Sequence, residues 1–90
     1  MEELVAALVH EGDDYYDARN GCPRDVNKAM ACYRKAADYG YHWGYYNVGK
    51  CYLEGQGVPK DDDAARKWFR KASAMQNELA KVRLQELGEA

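Results

Sequence analysis

Four polar side chains near the start of the chain have types and a spacing suited to binding a cation. His10, Asp13, Asp14 and Asp17 follow one another at i, i+3, i+4 and i+7, which places them on one face of an α-helix. Carboxylates and an imidazole so arranged can ligate a divalent metal ion. The same face can instead attract a basic partner or stay solvated. All three interpretations remain open; we favour the solvated face first, a basic partner second and a metal site last.

Cysteines and histidines are the other side chains with reactive chemistry. Cys22, Cys32 and Cys51 show neither a C-x-x-C spacing nor a nearby histidine pair. They therefore predict free, mostly packed thiols in a reducing compartment, without a zinc site or a disulfide framework. No nucleophile motif and no phosphate-binding glycine loop is present, and His10 and His42 meet only if neighbouring helices bring them together. We predict a protein that is not an enzyme and needs no cofactor.

Composition and charge narrow the classes of partner. The 90 residues are 47% apolar and 31% charged, with a formal charge of -2, and the mean hydropathy is -0.77. Without a global positive field, binding to nucleic acid or to an anionic membrane is disfavoured. The acidic N-terminus is unlike a signal peptide, and no apolar run approaches the roughly 18 residues of a membrane span. We expect one small cytoplasmic domain, residues 1–90, with a thin core.

An internal repeat organises the chain. An offset of 36 residues aligns GCPRDVNKAMACYRKAA, residues 21–37, with GVPKDDDAARKWFRKAS, residues 57–73. A period of this size is typical of solenoids whose unit is a pair of helices. In each copy a Gly-x-Pro loop precedes an aspartate, Asp25 or Asp61, which predicts a helix N-cap. The buried faces of the two helices that follow are predicted to be Ala29, Cys32, Tyr33 and Ala36, and Ala65, Trp68, Phe69 and Ala72.

A leading helix is predicted before each Gly-x-Pro loop, over residues 2–17 and 41–54. There an offset of 37 gives the better alignment, pairing Ala7 with Gly44, Gly12 with Gly49 and Tyr15 with Tyr52. The first loop is therefore expected to hold one extra residue, and the small side chains at 7 and 44 predict close approach of neighbouring helices. The resulting units are a degenerate repeat over 2–40, a second repeat over 41–76 and a capping helix over 77–90.

The second copy, GYYNVGKCYLEGQGVPKDDDAARKWFRKAS, closely resembles the Sel-1-like repeat, a relative of the tetratricopeptide repeat. The residues that match its pattern are Gly49, Tyr52, Gly55, Gly57, Val58, Asp61, Ala65, Trp68, Lys71 and Ala72. The first copy departs from it, with Glu11, Cys22 and Cys32 in place of Leu, Val and Trp. The resemblance implies an all-α fold, an α-α superhelix (solenoid) of two helix-pair repeats plus a C-terminal capping helix. It also implies a concave face, lined by the leading helices, that binds proteins or peptides.

Carried over position by position, the resemblance places partner-binding residues on that concave face. They are Val9, His10, Asp13, Asp17, Trp43, Tyr46, Asn47, Lys50 and Glu54. A register shifted by one residue would bring Glu11 and Asp14 to the concave face instead. His42 is added as a partner-binding residue because its ring stands where the pattern usually has a small or polar residue. The eight residues predicted to bind a partner are thus His10, Asp13, Asp17, His42, Trp43, Tyr46, Asn47 and Lys50. The repeat pattern usually has small or polar residues at 42, 43 and 45, whereas this chain has rings there. Large aromatic side chains are enriched at binding hot spots. We favour an interface role for Trp43 and a core role for Tyr45, each with the other role as its alternative.

Charge pairing is predicted on the last long helix. The basic strip is formed by Arg66, Lys67, Arg70 and Lys71, and it follows Asp62 and Asp63. Pairing at i, i+4 along an outer face is favoured over contacts with phosphate.

Together these observations predict a non-catalytic protein–protein interaction module that binds a protein or peptide, and a partner with a basic patch suits the acidic rim. The alternative is a small stand-alone inhibitor, immunity or antagonist protein that masks a single target enzyme or complex. Nucleic-acid binding and a metal-dependent enzyme are less favoured alternatives. Two further hypotheses concern the extent of the chain: residues 1–90 are a complete small protein, or they are a fragment of a longer repeat array. We expect the complete protein.

Overall fold

Five α-helices and the loops between them make up residues 2–88, the part of the chain described by the structure, a computed structural model. The helices are α1 (Glu2–Asp17), α2 (Val26–Asp38), α3 (His42–Glu54), α4 (Asp62–Ala74) and α5 (Glu78–Glu86). Each helix packs against the next one in the chain, and α1 also touches α3. The predicted all-α arrangement of two helix pairs and one further helix is confirmed.

The two trailing helices, α2 and α4, begin at the predicted N-caps. The Asp25 Oδ1 accepts a hydrogen bond from the backbone N–H of Lys28 at 3.0 Å, and the Asp61 Oδ1 accepts one from Ala64 at 3.0 Å. Both aspartates have extended backbones. Each carboxylate thus satisfies one of the N–H groups that a helix leaves unpaired in its first turn.

The first inter-helix loop is one residue longer than the second, as the change of offset predicts. Residues 18–25 join α1 to α2, whereas residues 55–61 join α3 to α4. The backbone N–H of Asp25 donates to the carbonyl of Tyr15 at 2.9 Å, and that of Asp61 donates to Tyr52 at 3.0 Å. Tyr15 is therefore the equivalent of Tyr52, 37 residues on, while the two caps lie 36 residues apart.

The extra residue leaves an alanine in a backbone conformation that suits glycine. Gly55 ends α3 with a φ of 67°, and Ala18, the equivalent residue 37 positions earlier, has a φ of 55°. In this left-handed region the Cβ of an L-residue crowds the backbone, at a cost of roughly 1–2 kcal/mol. The first repeat therefore carries local strain that the second one avoids.

The core is built on aromatic rings that pack against glycines of the preceding leading helix. Tyr33 of α2 and Phe69 of α4 are 2% and 0% exposed. A Cβ placed on Gly12 would lie 2.6 Å from Cε1 of Tyr33, and one placed on Gly49 would lie 2.8 Å from Cε1 of Phe69. Each ring thus occupies the space that a side chain on the facing helix would need. The same contact recurs in both repeats.

The two helix pairs meet at Gly44. A Cβ at this position would lie 2.4 Å from the backbone nitrogen of Ala37, so α3 touches the backbone of α2 directly. The corresponding expectation for Ala7 is wrong, since Ala7 is exposed. The reason is that α1 is the first helix in the described part of the chain, and no helix of residues 2–88 precedes it.

The closing helix is shorter than predicted. Asn77 caps α5, with its Oδ1 accepting a hydrogen bond from the backbone N–H of Ala80 at 2.9 Å. The helix ends at Glu86, and Gly88 takes a φ of 83°, which a continuing helix does not allow. The prediction of a helix through residue 90 is therefore wrong for 87 and 88, while residues 89 and 90 lie outside the described part.

The three cysteines are free thiols, as predicted. Cys51 is fully buried in the core between α2 and α3, and burial raises the pKa of its thiol to about 12. Cys22 and Cys32 are partly exposed. Among residues 2–88, no helix combines the length and the apolar content that crossing a membrane requires.

The basic strip on α4 is held by contacts within the chain. Asp63 pairs with Arg66 at 2.7 Å, a spacing of i, i+3. The predicted i, i+4 attraction is also present, since a hydrogen bond from Lys60 and, after it, the charges of Lys60 and Arg66 lower the pKa of Asp62. A second nitrogen of Arg66 donates to the carbonyl of Leu87 at 3.2 Å. The Lys71 ammonium lies 4.7 Å from the centre of the Trp68 ring. The strip thus helps to hold α5 and the outer face of α4.

We expect Ala18→Gly to raise the free energy of unfolding by about 0.5–1 kcal/mol, because glycine relieves the left-handed strain while loosening the unfolded chain. Chemical denaturation followed by circular dichroism measures this change. Ala31→Gly, at an exposed position inside α2, is the matched control and should cost about 1 kcal/mol. Destabilisation by both variants would show that residue 18 is not strained.

Gly44→Ala should lower the free energy of unfolding by about 3 kcal/mol, because the new methyl group would overlap the backbone of α2 and force the two repeats apart. The comparison is Gly21→Ala, since the φ of Gly21 is 76° but nothing lies near its Cβ position. That variant should cost only about 1 kcal/mol. The reverse order in thermal or chemical denaturation would refute the close contact at Gly44.

Candidate protein-binding groove

A groove of about 410 Å³ lies between the leading helices α1 and α3. Residues of both helices line it, together with two residues outside the helices, Arg19 in the first loop and Tyr41 directly before α3. The lining residues are Ala6, Val9, His10, Asp13, Asp17, Arg19, Tyr41, Trp43, Tyr46, Asn47 and Lys50. Seven of the eight residues predicted to bind a partner, all except His42, are therefore brought together in one place.

His42 lies outside the groove. Its Nδ1 is 3.0 Å from the side-chain nitrogen of Asn77, the buried cap of α5. Because the Asn77 oxygen already accepts the N–H of Ala80, its amide nitrogen is the donor and the His42 Nδ1 the acceptor. His42, predicted to bind a partner, thus faces α5 and does not line the groove.

The floor of the groove is held rigidly by two residues that are almost fully buried. Tyr46 is 7% exposed, and its hydroxyl accepts a hydrogen bond from Nε of Arg83 at 3.2 Å. Asn47 is 8% exposed, and its amide nitrogen donates to the carbonyl of Trp43 at 2.8 Å. These two residues, predicted as contact residues, thus support the surface more than they project from it.

The rings of Trp43 and Tyr45 have different neighbours. Trp43 is half-buried, lines the groove and meets the ring of Tyr46 edge-on, with the centroids 5.6 Å apart. Tyr45 is not a lining residue and packs against Trp68 of α4 at 5.9 Å. Both rings also pack against the core cluster that contains Phe69, so Trp43 is a core contact as well as a lining residue.

The residues that line the groove are those of the preferred register on α1. Glu11 and Asp14, the residues of the shifted register, do not line the groove. Glu54, predicted beside it, instead accepts a hydrogen bond from the hydroxyl of Tyr16. Asp14 accepts one from the amide of Asn20 at 2.9 Å.

Sequence reasoning missed three lining residues: Ala6, Arg19 and Tyr41. For Ala6 a signal existed, because the offset of 37 pairs it with Trp43. Tyr41 directly precedes α3, after Gly40 with a φ of 79°, so its place depends on a turn that the helical pattern does not describe. Arg19 sits in the first loop, where no motif position marks it.

The charges in the groove are balanced. Asp17 forms an ion pair with Arg19 at 2.9 Å, with both side chains exposed. The ammonium of Lys50 lies 5.0 Å from the centre of the Tyr16 ring. Two carboxylates, Asp13 and Asp17, thus share the groove with two cations. The predicted acidic rim is not a net acidic surface, and the case for a basic patch on the partner loses its main support.

Asp13 is tied to the core. Its Oδ1 accepts a hydrogen bond from the hydroxyl of Tyr33 at 2.6 Å. Burial, and then this bond to a carboxylate, raises the pKa of the Tyr33 hydroxyl above its ordinary value. Within residues 2–88, no three histidine, cysteine or acidic side chains are grouped as a metal ion requires. The metal alternative for the set at His10 to Asp17 therefore finds no support in the geometry.

Comparison with known proteins places the chain among helical repeat proteins. The family model described as "Sel1 repeat" matches residues 12–41 and 44–77. A crystal structure of a Sel1 repeat protein from Oxalobacter formigenes superposes with a TM-score of 0.86 at 32% identity, over 92% of this chain. A protective antigen of uropathogenic Escherichia coli that displays an SLR fold gives 0.84 at 32% identity, over 89%. The chain covers 34% and 17% of those two structures.

Two curated relatives have similar sequences. Cytochrome c oxidase assembly factor 7A of Xenopus laevis is 36% identical over 69 residues, which is 77% of this chain and 30% of the relative. DAP3-binding cell death enhancer 1 of Rattus norvegicus is 37% identical over 61 residues, which is 68% of this chain and 12% of the relative. The chain thus spans less than a third of the length of either relative.

The raised pKa of Tyr33 predicts a loss of stability in alkali. Above its ordinary pKa of 10.0, the unfolded chain releases the phenolic proton while the folded chain keeps it, so the free energy of unfolding falls as the pH rises. The slope contributed by this group reaches about 1.4 kcal/mol per pH unit. Tyr33→Phe should reduce that slope, whereas Tyr39→Phe, at an exposed ring, is the control. Urea denaturation between pH 9 and 11 measures it, and equal slopes for Tyr33→Phe and wild type would contradict the account.

Proposed function

The chain belongs to the Sel1 repeat family, and on that premise we propose that it is a non-catalytic interaction module whose α1–α3 groove binds a segment of a partner protein. Sel1 repeats are in general protein-interaction modules without catalytic activity. The observation that supports the proposal is that seven of the eight residues predicted to bind a partner line one groove. Those residues come from two helices about 30 positions apart in the chain.

The chemistry of the groove suits a peptide segment. Its volume of about 410 Å³ falls in the range of ligand-binding clefts, roughly 300–1,000 Å³. An indole and two phenol rings lie at one end, and charges of both signs lie at the other. Large rings with nearby polar groups are the composition of interface hot spots. The buried floor of Tyr46 and Asn47 keeps the site preformed, which lowers the entropy cost of binding.

The polar groups of the groove favour binding over catalysis. Asp13 is held by Tyr33 and Asp17 is held by Arg19, so each carboxylate has a structural partner. His10 is exposed on α1, whereas His42 faces α5. The two imidazoles therefore do not form a pair.

The relatives support a protein as the partner. One is named as an assembly factor for cytochrome c oxidase and another as a protein that binds DAP3. Both names describe a protein that acts through contact with other proteins. The three free thiols suit a reducing compartment, and we propose the cytoplasm as the location. Fractionation of cells that express the full chain tests this placement.

Capture of partners from a lysate of the source cells, with quantification by mass spectrometry, tests the groove. Trp43→Ala and Lys50→Glu should each reduce the recovery of the same partner at least about tenfold, because hot-spot changes cost about 2 kcal/mol or more and about 1.4 kcal/mol corresponds to tenfold. The two variants act on opposite ends of the groove.

Two matched variants serve as controls. Trp68→Ala also removes a half-buried indole, and Lys67→Glu also reverses one charge, but both residues lie on α4, outside the groove. Recovery should remain within twofold of wild type for each. Equal loss with Trp43→Ala and Trp68→Ala, or no loss with either groove variant, would refute the proposed site.

A further inference from the structure

A second cavity, of about 380 Å³, lies between α1 and α2. We call it the α1–α2 pocket, and it is lined by Leu4, Val5, Leu8, Lys35 and Tyr39. None of these residues lines the α1–α3 groove. Leu4 and Tyr39 are exposed, whereas Val5 is buried. The pocket is therefore open to solvent on one side and reaches the core on the other.

An indole ring lies at the equivalent place in the second repeat. The ring of Trp68 packs against the ring of Tyr45, with the centroids 5.9 Å apart. The ammonium of Lys71 lies 4.7 Å from the centre of the same indole, a distance at which a cation is attracted to the face of an aromatic ring. Trp68 thus lies between an apolar side chain of the leading helix and a cation of its own helix.

The first repeat has the equivalents of both neighbours but not the ring. At the offset of 37 Leu8 corresponds to Tyr45, and at the offset of 36 Lys35 corresponds to Lys71. Leu8 and Lys35 both line the α1–α2 pocket. Cys32 stands where the second repeat has its tryptophan. A side chain this small leaves the space between the two neighbours open.

The thiol of Cys32 lies where α1 and α2 meet. Burial and, after it, the charge of Glu11 on α1 raise the pKa of the thiol, whereas the charge of Lys35 on α2 lowers it. Charges from both helices therefore act on this side chain, which is partly exposed. An indole at position 32 would extend from the same place toward Lys35, as Trp68 extends toward Lys71.

The lining of the pocket favours a flat aromatic ring as the occupant. Leu4, Leu8 and the ring of Tyr39 offer apolar surface, and the volume falls in the range of ligand-binding clefts, roughly 300–1,000 Å³. The ammonium of Lys35 is complementary in charge to the negative face of an aromatic ring. An aliphatic side chain could fill the space, but it has no such face to offer the cation.

We propose that the α1–α2 pocket is a second binding site, which takes a tryptophan side chain of a partner protein. The indole lies on Leu8 and under the ammonium of Lys35, as Trp68 lies between Tyr45 and Lys71 in the second repeat. The site shares no lining residue with the α1–α3 groove. The inference therefore goes beyond the proposed function and does not depend on it.

Titration of the isotope-labelled full chain with the blocked tripeptide acetyl-Gly-Trp-Gly-amide, followed by the NMR shifts of backbone amides, tests the proposal. We expect a dissociation constant of about 1–10 mM, which is typical of a single side chain, and the largest shifts near Leu8 and Lys35. The matched peptide acetyl-Gly-Leu-Gly-amide should bind at least about threefold more weakly, because it lacks the ring face. Equal binding of both peptides, shifts centred on Trp43, or no binding of either peptide would overturn the proposal.

Cys32→Trp should weaken binding of the tryptophan peptide at least about tenfold, because the chain then fills the pocket with its own indole. Ala31→Trp is the matched control, since it adds an indole at an exposed position of α2 outside the pocket, and it should leave the affinity within twofold of wild type. Circular dichroism verifies that both variants fold. Equal affinities of Cys32→Trp and wild type would contradict the site.

A substitution that leaves the packing of the helices unchanged tests the cation. Lys35→Gln should weaken binding of the tryptophan peptide about two- to fivefold, whereas Lys67→Gln, on the exposed face of α4, should have no effect. Equal affinities of Lys35→Gln and wild type would refute the role of the ammonium. Analytical ultracentrifugation tests a second copy as the occupant: a dimer that dissociates in Tyr39→Ser would show that another copy of this chain fills the pocket, and would overturn the proposal.

Discussion

The contact between an aromatic ring and a facing glycine sets the spacing of the helices on which everything else depends. Tyr33 against Gly12 and Phe69 against Gly49 are the same contact in the two repeats, and neither glycine has room for a Cβ. Gly44 brings α3 onto the backbone of α2 in the same way. Because a core this small is closely packed, the contacts at Gly12 and Gly44 determine how far apart α1 and α3 lie, and the contact at Gly49 fixes α4 against α3. That distance is the width of the groove.

The groove therefore follows from the packing on the opposite side of the leading helices. The core side of α3 carries Gly44, Val48 and Cys51, which are fully or nearly fully buried, whereas its other side carries Trp43 and Lys50. Tyr46 connects the two, since its ring packs on Phe69 at 5.6 Å while its edge lines the groove. A change in the core is thus transmitted to the binding surface through one buried ring.

Most of the fold could be predicted from the sequence because the repeat fixes it locally. The caps at Asp25 and Asp61 and the change of offset between the loops each have a direct physical cause in nearby residues. The position of His42 could not be predicted, since it depends on the tertiary contact with Asn77. The charge balance of the groove could not be predicted either, because Arg19 contacts Asp17 from a loop in which no sequence motif marks its position. The end of α5 was missed because mixed polarity continues past the point where Gly88 turns the backbone.

The central claim is that the surface between α1 and α3 is where this chain meets another protein. Photo-crosslinking from a benzophenone amino acid tests it most directly, placed once at His10, on the exposed wall of the groove, and once at Lys67, on the exposed face of α4. The account predicts a crosslinked partner from position 10 and none from position 67. A crosslink from position 67 alone would contradict it.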